Sequence, residues 1–389
     1  MKAMHAPMLI ASLSGAVLLA ACGGGGGGDT AAAPGTLKVS LTDAPACGFD
    51  KVFVTVSKVR VHKAGDAAEG DAGWSEIVLT TPRKIDLLNL VNGKLEDLGQ
   101  TSLPAGTYNQ IRLVLVPNAG GALANSIVPT GGSEVALATP SGVQSGIKLN
   151  GNVEVASGAT TEIALDFDAC KSIVQRGNGS YGLKPVIRMI PMVSSGTING
   201  FVEKSAVGPQ TVVSAQLNGV VVRSTVPDSE GFFSLAPLEA GNYVVVATGT
   251  ARSTDIVNAV PVAAKGTTAL STSAAPLLTA SSTMGTVSGT VLPADAEGSV
   301  TAFQTVSGGP VASIRYSAAN GTTGEYGLPL PLAAPRYGQY SSTLPISFTA
   351  QTALAGKYAL QAGATGYQTQ SADIDLTSAN LTRNFTLVK

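Results

Sequence analysis

Residues able to do covalent, metal or proton chemistry are few in this 389-residue chain: three cysteines, two histidines and a thin set of acids. Cys22 follows Leu19-Ala20-Ala21, the end of an apolar run that starts at Met8 and is interrupted only by Ser12, Ser14 and Gly15. At about 13 residues the run suits the core of a signal peptide and falls short of the roughly 20 that a spanning helix needs. Lys2 supplies the positive charge expected ahead of such a core. Small residues before a cysteine form the lipobox pattern, in which the thiol receives a diacylglycerol and becomes the new N-terminus. The other two thiols, Cys47 and Cys170, make an even pair. In an oxidising compartment such a pair favours a disulfide, the alternative being two buried thiols.

Proton and metal chemistry finds little support. His62 is the only histidine left after residues 1–21. It shares a strand face with Lys58 and Arg60, and the chain has no Gly-x-Ser-x-Gly elbow, so a catalytic triad is not indicated. Asp166 and Asp168, two apart, lie on one face of a strand and could bind Ca²⁺ or exchange protons. The solvated outer face of a sandwich places acids in the same way, and that reading is preferred. Asp43, before Ala44-Pro45, reads as a turn acid bonded to its own backbone. Asp66, Glu69 and Asp71 lack the closing Glu of a Ca²⁺ loop and read as a solvated hairpin. Trp74 opens a strand and reads as a core filler. No catalytic residue, metal ligand or cofactor is assigned.

The elements that must position these residues are strands. Short alternating runs between Gly, Pro, Asn and Asp clusters dominate, and no long stretch keeps a 3.6-residue apolar period. The fold class is therefore all-β, with tandem β-sandwich domains of Ig-like or prealbumin-like type. Only 13% of residues are charged; once Lys2 is removed, 23 basic face 25 acidic residues, with no basic patch, so nucleic acid is not expected as a partner. Residues 22–35, with six consecutive glycines from Gly23 to Gly28, read as a flexible tether after the lipidated Cys22.

Residues 36–193 form the first expected domain. Leu37, Val39 and Leu41 alternate up to the turn signal at Asp43. Val52, Val54 and Val56 share a face, and the phase then slips to Val59 and Val61, which predicts a bulge or a strand passing between sheets. Leu41-Thr42-Asp43-Ala44-Pro45, Asp86-Leu87-Leu88, Ala105-Gly106-Thr107-Tyr108-Asn109-Gln110-Ile111-Arg112 and Leu183-Lys184-Pro185-Val186-Ile187 resemble, in order, a domain of unknown function of prokaryotic lipoproteins with this "TDAP" opening. The resemblance implies a β-sandwich in the periplasm or at the cell surface and supplies no activity.

Residues 194–280 carry Ser195-Gly196-Thr197-Ile198-Asn199-Gly200-Phe201-Val202, Asp228-Ser229-Glu230-Gly231-Phe232-Phe233 and Ala240-Gly241-Asn242-Tyr243-Val244-Val245-Val246-Ala247. These resemble a carboxypeptidase regulatory-like domain, a transthyretin-type sandwich. The pattern recurs in a divergent copy over residues 281–389, at Met284-Gly285-Thr286-Val287, Gly324-Glu325-Tyr326 and Ala355-Gly356-Lys357-Tyr358, with Asn320-Gly321 upstream where an Asp would stand. The copy holds an insertion over 328–344 with Pro329, Pro331, Pro335, Tyr337 and Tyr340. Proline-stiffened loops carry binding function on such scaffolds, which makes Arg336, Tyr337 and Tyr340 the candidate ligand-binding residues; a loop covering a sheet edge is the alternative.

The sequence thus predicts a non-enzymatic envelope lipoprotein with a structural, adhesive or ligand-binding role. Its partners would be the membrane, through Cys22, and a polysaccharide, cell-wall or protein ligand. Gly23 after the cysteine resembles the pattern of lipoproteins carried to the outer membrane, facing the periplasm or the surface. The competing reading is a carbohydrate- or metal-dependent enzyme, or its accessory module, built on clustered Asp residues.

Overall fold

The computed structural model describes residues 33–44, 48–176, 178–208 and 210–389. The segment expected to be a signal peptide, Cys22, most of the expected tether and Cys47 lie outside them. The described residues are nearly all β, with no helix of seven or more residues among them, as alternating apolar patterns between turn clusters require.

The first sandwich faces a four-stranded sheet, ordered Ile187–Pro191, Thr160–Asp168, Gly35–Ala44, Glu96–Leu103, against a larger sheet centred on Phe49–His62 and Gly106–Leu115. Gly35–Ala44 and Thr160–Asp168 run parallel, with Thr42 opposite Asp166 and Ala44 opposite Asp168. Leu37, Val39, Leu41, Ile163, Leu165 and Phe167 meet the valines of Phe49–His62 in one core. The phase slip predicted there is a bulge: the register shifts between Val56 and Lys58 against both neighbours. Val52, Val54, Val56, Val59 and Val61 consequently all point into the same core. The strand also changes partners ahead of the bulge, because Val52 pairs with Ile127 while Val56 and Val59 pair with Leu115 and Leu113.

The next sandwich packs a three-stranded sheet (Phe232–Glu239, Ser195–Phe201, Thr267–Ala269) on a six-stranded one. The six run in the order Val220–Thr225, Val212–Leu217, Gly241–Thr248, Asp255–Val262, Arg336–Gln339, Thr349–Ala350. Of the last two strands, Arg336–Gln339 comes from the 328–344 segment expected to be a loop, and Thr349–Ala350 follows just after it. Arg336–Gln339 pairs in parallel with Asp255–Val262, so that Asp255 meets Arg336 and Ile256 meets Tyr337. Part of the proline-rich stretch thus extends a sheet belonging to the preceding repeat, with Pro335 just ahead of Arg336–Gln339, while Pro329 and Pro331 lie in Glu325–Pro331, an edge strand of the next sandwich, where a proline is tolerated.

The third sandwich sets Glu325–Pro331 and Met284–Leu292 against Val311–Ala318, Ser299–Thr305, Lys357–Gly363 and Gln370–Asp375. Its core includes Val244, Val246 and Ile256 from the six-stranded sheet, while Val245, Ala247 and Val257 of the same strands enter the other core. That sheet is covered on both faces, which is why Tyr243 to Ala247 reads as an unbroken apolar run rather than an alternation.

The repeated turns coincide in geometry. Asp228 Oδ1 accepts from Glu230 N and Phe232 N, and Asn320 Oδ1 accepts from Thr322 N and Thr323 N. Gly231 and Gly324 follow with φ of 83° and 73°. Each carbonyl accepts from the opening strand, Val202 N and Val291 N respectively. A Cβ on either glycine would strike that strand's backbone.

Candidate binding cavity where three sandwiches meet

The parallel pairing of Gly35–Ala44 with Thr160–Asp168 brings Asp43, Asp166 and Asp168 to one end of the first sandwich. Asp166 is not on a solvated face as expected; it is 6% exposed and ion-paired with Arg223 from the second sandwich. Arg223 Nη2 also donates to Thr42 Oγ at 2.8 Å. Arg188 donates to the Val222 and Val221 carbonyls at 2.8 and 2.9 Å. Asp43 is fully buried and accepts from Ala169 N at 3.1 Å; the turn that follows it lies outside the described residues. Burial pushes its carboxyl well above the usual range, with Asp166 and Asp168 adding to the effect. Burial also raises Asp166, against the pull of Arg223. Asp168 caps the short helix Ala169–Ser172, accepting from Lys171 N at 3.1 Å and from Lys171 Nζ at 2.8 Å. The space left between Asp166, Asp168, Arg188 and Arg223 is about 10 Å³, room for one water at most. The acids gather at one end of the sandwich, but Asp166 is taken by a guanidinium that locks two sandwiches together, Asp168 by Lys171 and Asp43 by the Ala169 amide.

Beside this lock the three sandwiches leave a cavity of about 300 Å³. Its walls are largely apolar, with Val212, Val221, Phe303 and Ile314 from the second and third sandwiches and Lys171 from the first. A second cavity of about 310 Å³ adjoins it between the first and third sandwiches, sharing Lys171 and Tyr316. At the mouth of the first cavity stands the hairpin joining Val212–Leu217 to Val220–Thr225. Asn218 and Gly219, with φ of 51° and 78°, supply the left-handed residues of a two-residue turn. A Cβ on Gly219 would come within 3.1 Å of Val311 Cγ1. Leu217, Val220 and Val311 are exposed around this mouth, Val220 to 59%.

Arg315, on Val311–Ala318, lines the same cavity. Its Nη1 donates to Gln210 Oε1 at 3.3 Å, while Nε and Nη2 are buried without a partner. Burial pulls its guanidinium below the ordinary range. The pattern of Val311–Ala318 conceals this from sequence: Arg315 sits between core residues Ala312 and Ile314 and the partly buried Tyr316, and only the neighbouring sheet shuts it from water.

The other sequence-based candidates are placed elsewhere. Arg336 Nε and Nη2 both bond the buried Asp255 carboxylate at 2.6 Å. Tyr337 hydroxyl accepts from Asn258 and Gln339, and its ring packs on the third core. Tyr340 packs on the second core. These three side chains are thus engaged within the fold. His62 Nδ1 accepts from Ala64 N and its Nε2 faces the Ala72 carbonyl, each at 2.9 Å. Trp74 lies under the guanidinium groups of Arg60 and Arg112, at 4.6 and 4.8 Å from its ring centre. It is a partly buried staple of the 62–74 hairpin rather than a core residue. In that hairpin Asp71 accepts from Ala68 N at 2.8 Å, and Arg60 reaches the Glu69 carbonyl; Asp66 lies in the same loop. Among the described residues no group of three or more His, Cys, Asp or Glu side chains is placed to hold a metal. No helix among them is long and apolar enough to cross a membrane.

Fold and cavity together define an all-β chain of tandem sandwiches with a cavity at their junction. A family model described as "Domain of unknown function (DUF4382)" matches residues 34–185, so the resemblance drawn from the first domain holds at the level of a domain of unknown function. No curated protein matches this chain. Among solved structures, a type II Cohesin-X-Dockerin complex of Acetivibrio cellulolyticus, an N-terminal interface mutant, is 27% identical over 21% of this chain and 55% of that one, with a TM-score of 0.18. The TIE protein of Bacillus anthracis is 12% identical over 91% of this chain and 50% of that one, also with a TM-score of 0.18. This chain spans about half the length of the solved chains it matches.

Proposed function

We propose that this protein is an exported lipoprotein, anchored through Cys22 to a membrane, the outer membrane in a two-membrane cell, and that it binds a ligand rather than transforming one. On this reading residues 1–21 are cleaved and the first domain belongs to the "TDAP" lipoproteins. The two repeats are carboxypeptidase regulatory-like sandwiches. The observation that carries the binding reading is the cavity at the three-sandwich junction, with apolar walls and an exposed apolar mouth, the usual make-up of a ligand site. Of the acids beside it, Asp166 and Asp168 are committed to Arg223 and Lys171, and Asp43 is fully buried and does not line the cavity. A general acid or base would need a free carboxyl within reach of substrate.

The anchor is tested with Cys22→Ser. The substituted protein is expected to leave the membrane fraction and to lose cleavage before residue 22. If it still pellets with membranes and is cut at the same place, the lipobox reading is wrong. Binding is tested by identifying what co-purifies with the anchored form. Turnover of a glycan or ester panel that disappears in Asp168→Asn would establish catalysis instead.

A disulfide between Cys47 and Cys170 belongs to the same proposal. Ala44 pairs with Asp168 and Asp43 bonds Ala169, so each cysteine lies within three residues of a cross-strand contact between their two strands. A bridge closing about 124 residues would stabilise the fold by roughly 5 kcal/mol on loop entropy. Non-reducing peptide mapping is expected to recover the linked pair; two alkylatable thiols in the exported protein would refute it.

A further inference from the structure

We propose that the cavity between the three sandwiches binds a small amphipathic monocarboxylate, its carboxylate on Arg315 and its apolar body against Val212, Val221, Phe303 and Ile314. This rests on the binding reading above and gives it a ligand class. Three observations converge. The walls of the cavity of about 300 Å³ are mostly apolar, so a hydrocarbon or aryl body gains by leaving water there. The apolar lining continues outward through exposed Val220, with exposed Val311 against the same hairpin turn, a patch that a bound body partly covers. Arg315, in the same wall, is a partly buried cation whose Nε and Nη2 are buried without a partner and whose Nη1 makes one long bond to Gln210.

A partly buried guanidinium without a counter-charge is costly, and a carboxylate is the group whose two oxygens match its fork. No acid on the wall serves this purpose: Asp168 is held by Lys171 and by the helix it caps. One guanidinium in an apolar setting suits a single carboxylate. A phosphate would call for several donors, and Lys171 is already paired.

The test titrates 4-phenylbutyrate into the purified full chain by calorimetry, with 4-phenylbutan-1-ol as the uncharged isostere. The acid is expected to bind at one site at least tenfold more tightly than the alcohol. Arg315→Gln is expected to bring the acid down to the level of the alcohol and leave the alcohol unchanged. Equal affinities in the native protein, no saturable binding of the acid, or undiminished acid binding in Arg315→Gln would each overturn the proposal. Should Arg315→Gln fail to fold, Val220→Asp at the exposed mouth sets a like charge beside the entering carboxylate. It is expected to weaken the acid severalfold more than the alcohol, and equal effects on both count against the assignment. A surface partner retained by a protein that ignores phenylbutyrate would remove the ligand class and leave the binding reading standing.

Discussion

At the residue scale, the same Ala-Gly-x-Tyr sequence is used three times with two outcomes. Tyr108 hydroxyl donates to the Pro104 carbonyl at 2.9 Å and Tyr243 hydroxyl to the Glu239 carbonyl at 2.8 Å, each four residues back. These are tyrosine corners, which fix the turn ahead of a strand. Tyr358 donates instead to the Pro331 carbonyl, across the third sandwich. Burial raises the Tyr108, Tyr243 and Tyr358 hydroxyls above their usual range. Tyr108→Phe and Tyr243→Phe each remove one partly buried hydrogen bond without opening a cavity, and each is expected to cost about 1 kcal/mol in urea unfolding. A loss indistinguishable from zero at both sites would mean that the corners do not hold these turns. The motif was legible in the sequence. Its partner in the third repeat was not, because the acceptor arrives on a strand 27 residues earlier in the chain.

At the element scale, strand ends decide what the acids do. Alternation correctly put Asp166 and Asp168 on the face opposite Ile163, Leu165 and Phe167. It could not reveal that the second sandwich covers the end of that face and brings Arg223 from a strand 57 residues away. Both partners are almost fully buried. Arg223→Met therefore leaves an uncompensated carboxylate and is expected to cost about 3–5 kcal/mol. Adding Asp166→Leu should recover most of that loss. Denaturant midpoints of the two variants check this, and a double variant no better than the single would show that the pair does more than balance charge. The 328–344 insertion teaches the same lesson. Its prolines and tyrosines suggested a displayed loop, but Arg336 finds a buried carboxylate on the neighbouring repeat, and pairing to Asp255–Val262 converts the loop into a strand.

At the scale of the whole molecule, the two repeats are one folding problem. The six-stranded sheet takes its last two strands from residues beyond 330, and Val244, Val246 and Ile256 are buried only by the third core. Residues 194–280 produced alone would expose that second apolar face and lack two strands, so they are expected to aggregate or stay unfolded. Residues 194–389 should give a cooperative unfolding transition. Size-exclusion chromatography and far-ultraviolet circular dichroism of the two fragments distinguish the cases; a monomeric, folded 194–280 would show that the repeats are independent. Excising 328–344 is expected to disrupt both sandwiches, because it removes Arg336–Gln339 and part of Glu325–Pro331.

What the sequence determined by itself is what short-range physics dictates. Period-two alternation set the all-β class, the phase slip set the bulge in Phe49–His62, and Asp, Asn and Gly at fixed offsets set the repeated turns, since each depends on residues a few positions apart. The tertiary structure decided everything that needs two distant segments to meet. It put Arg223 against Asp166, Arg336 against Asp255, and Arg315 in a cavity that belongs to no single sandwich. In each case a charged side chain on a strand looks solvated in one dimension, and only a second sheet laid over it removes the water and gives the charge a partner or leaves it without one.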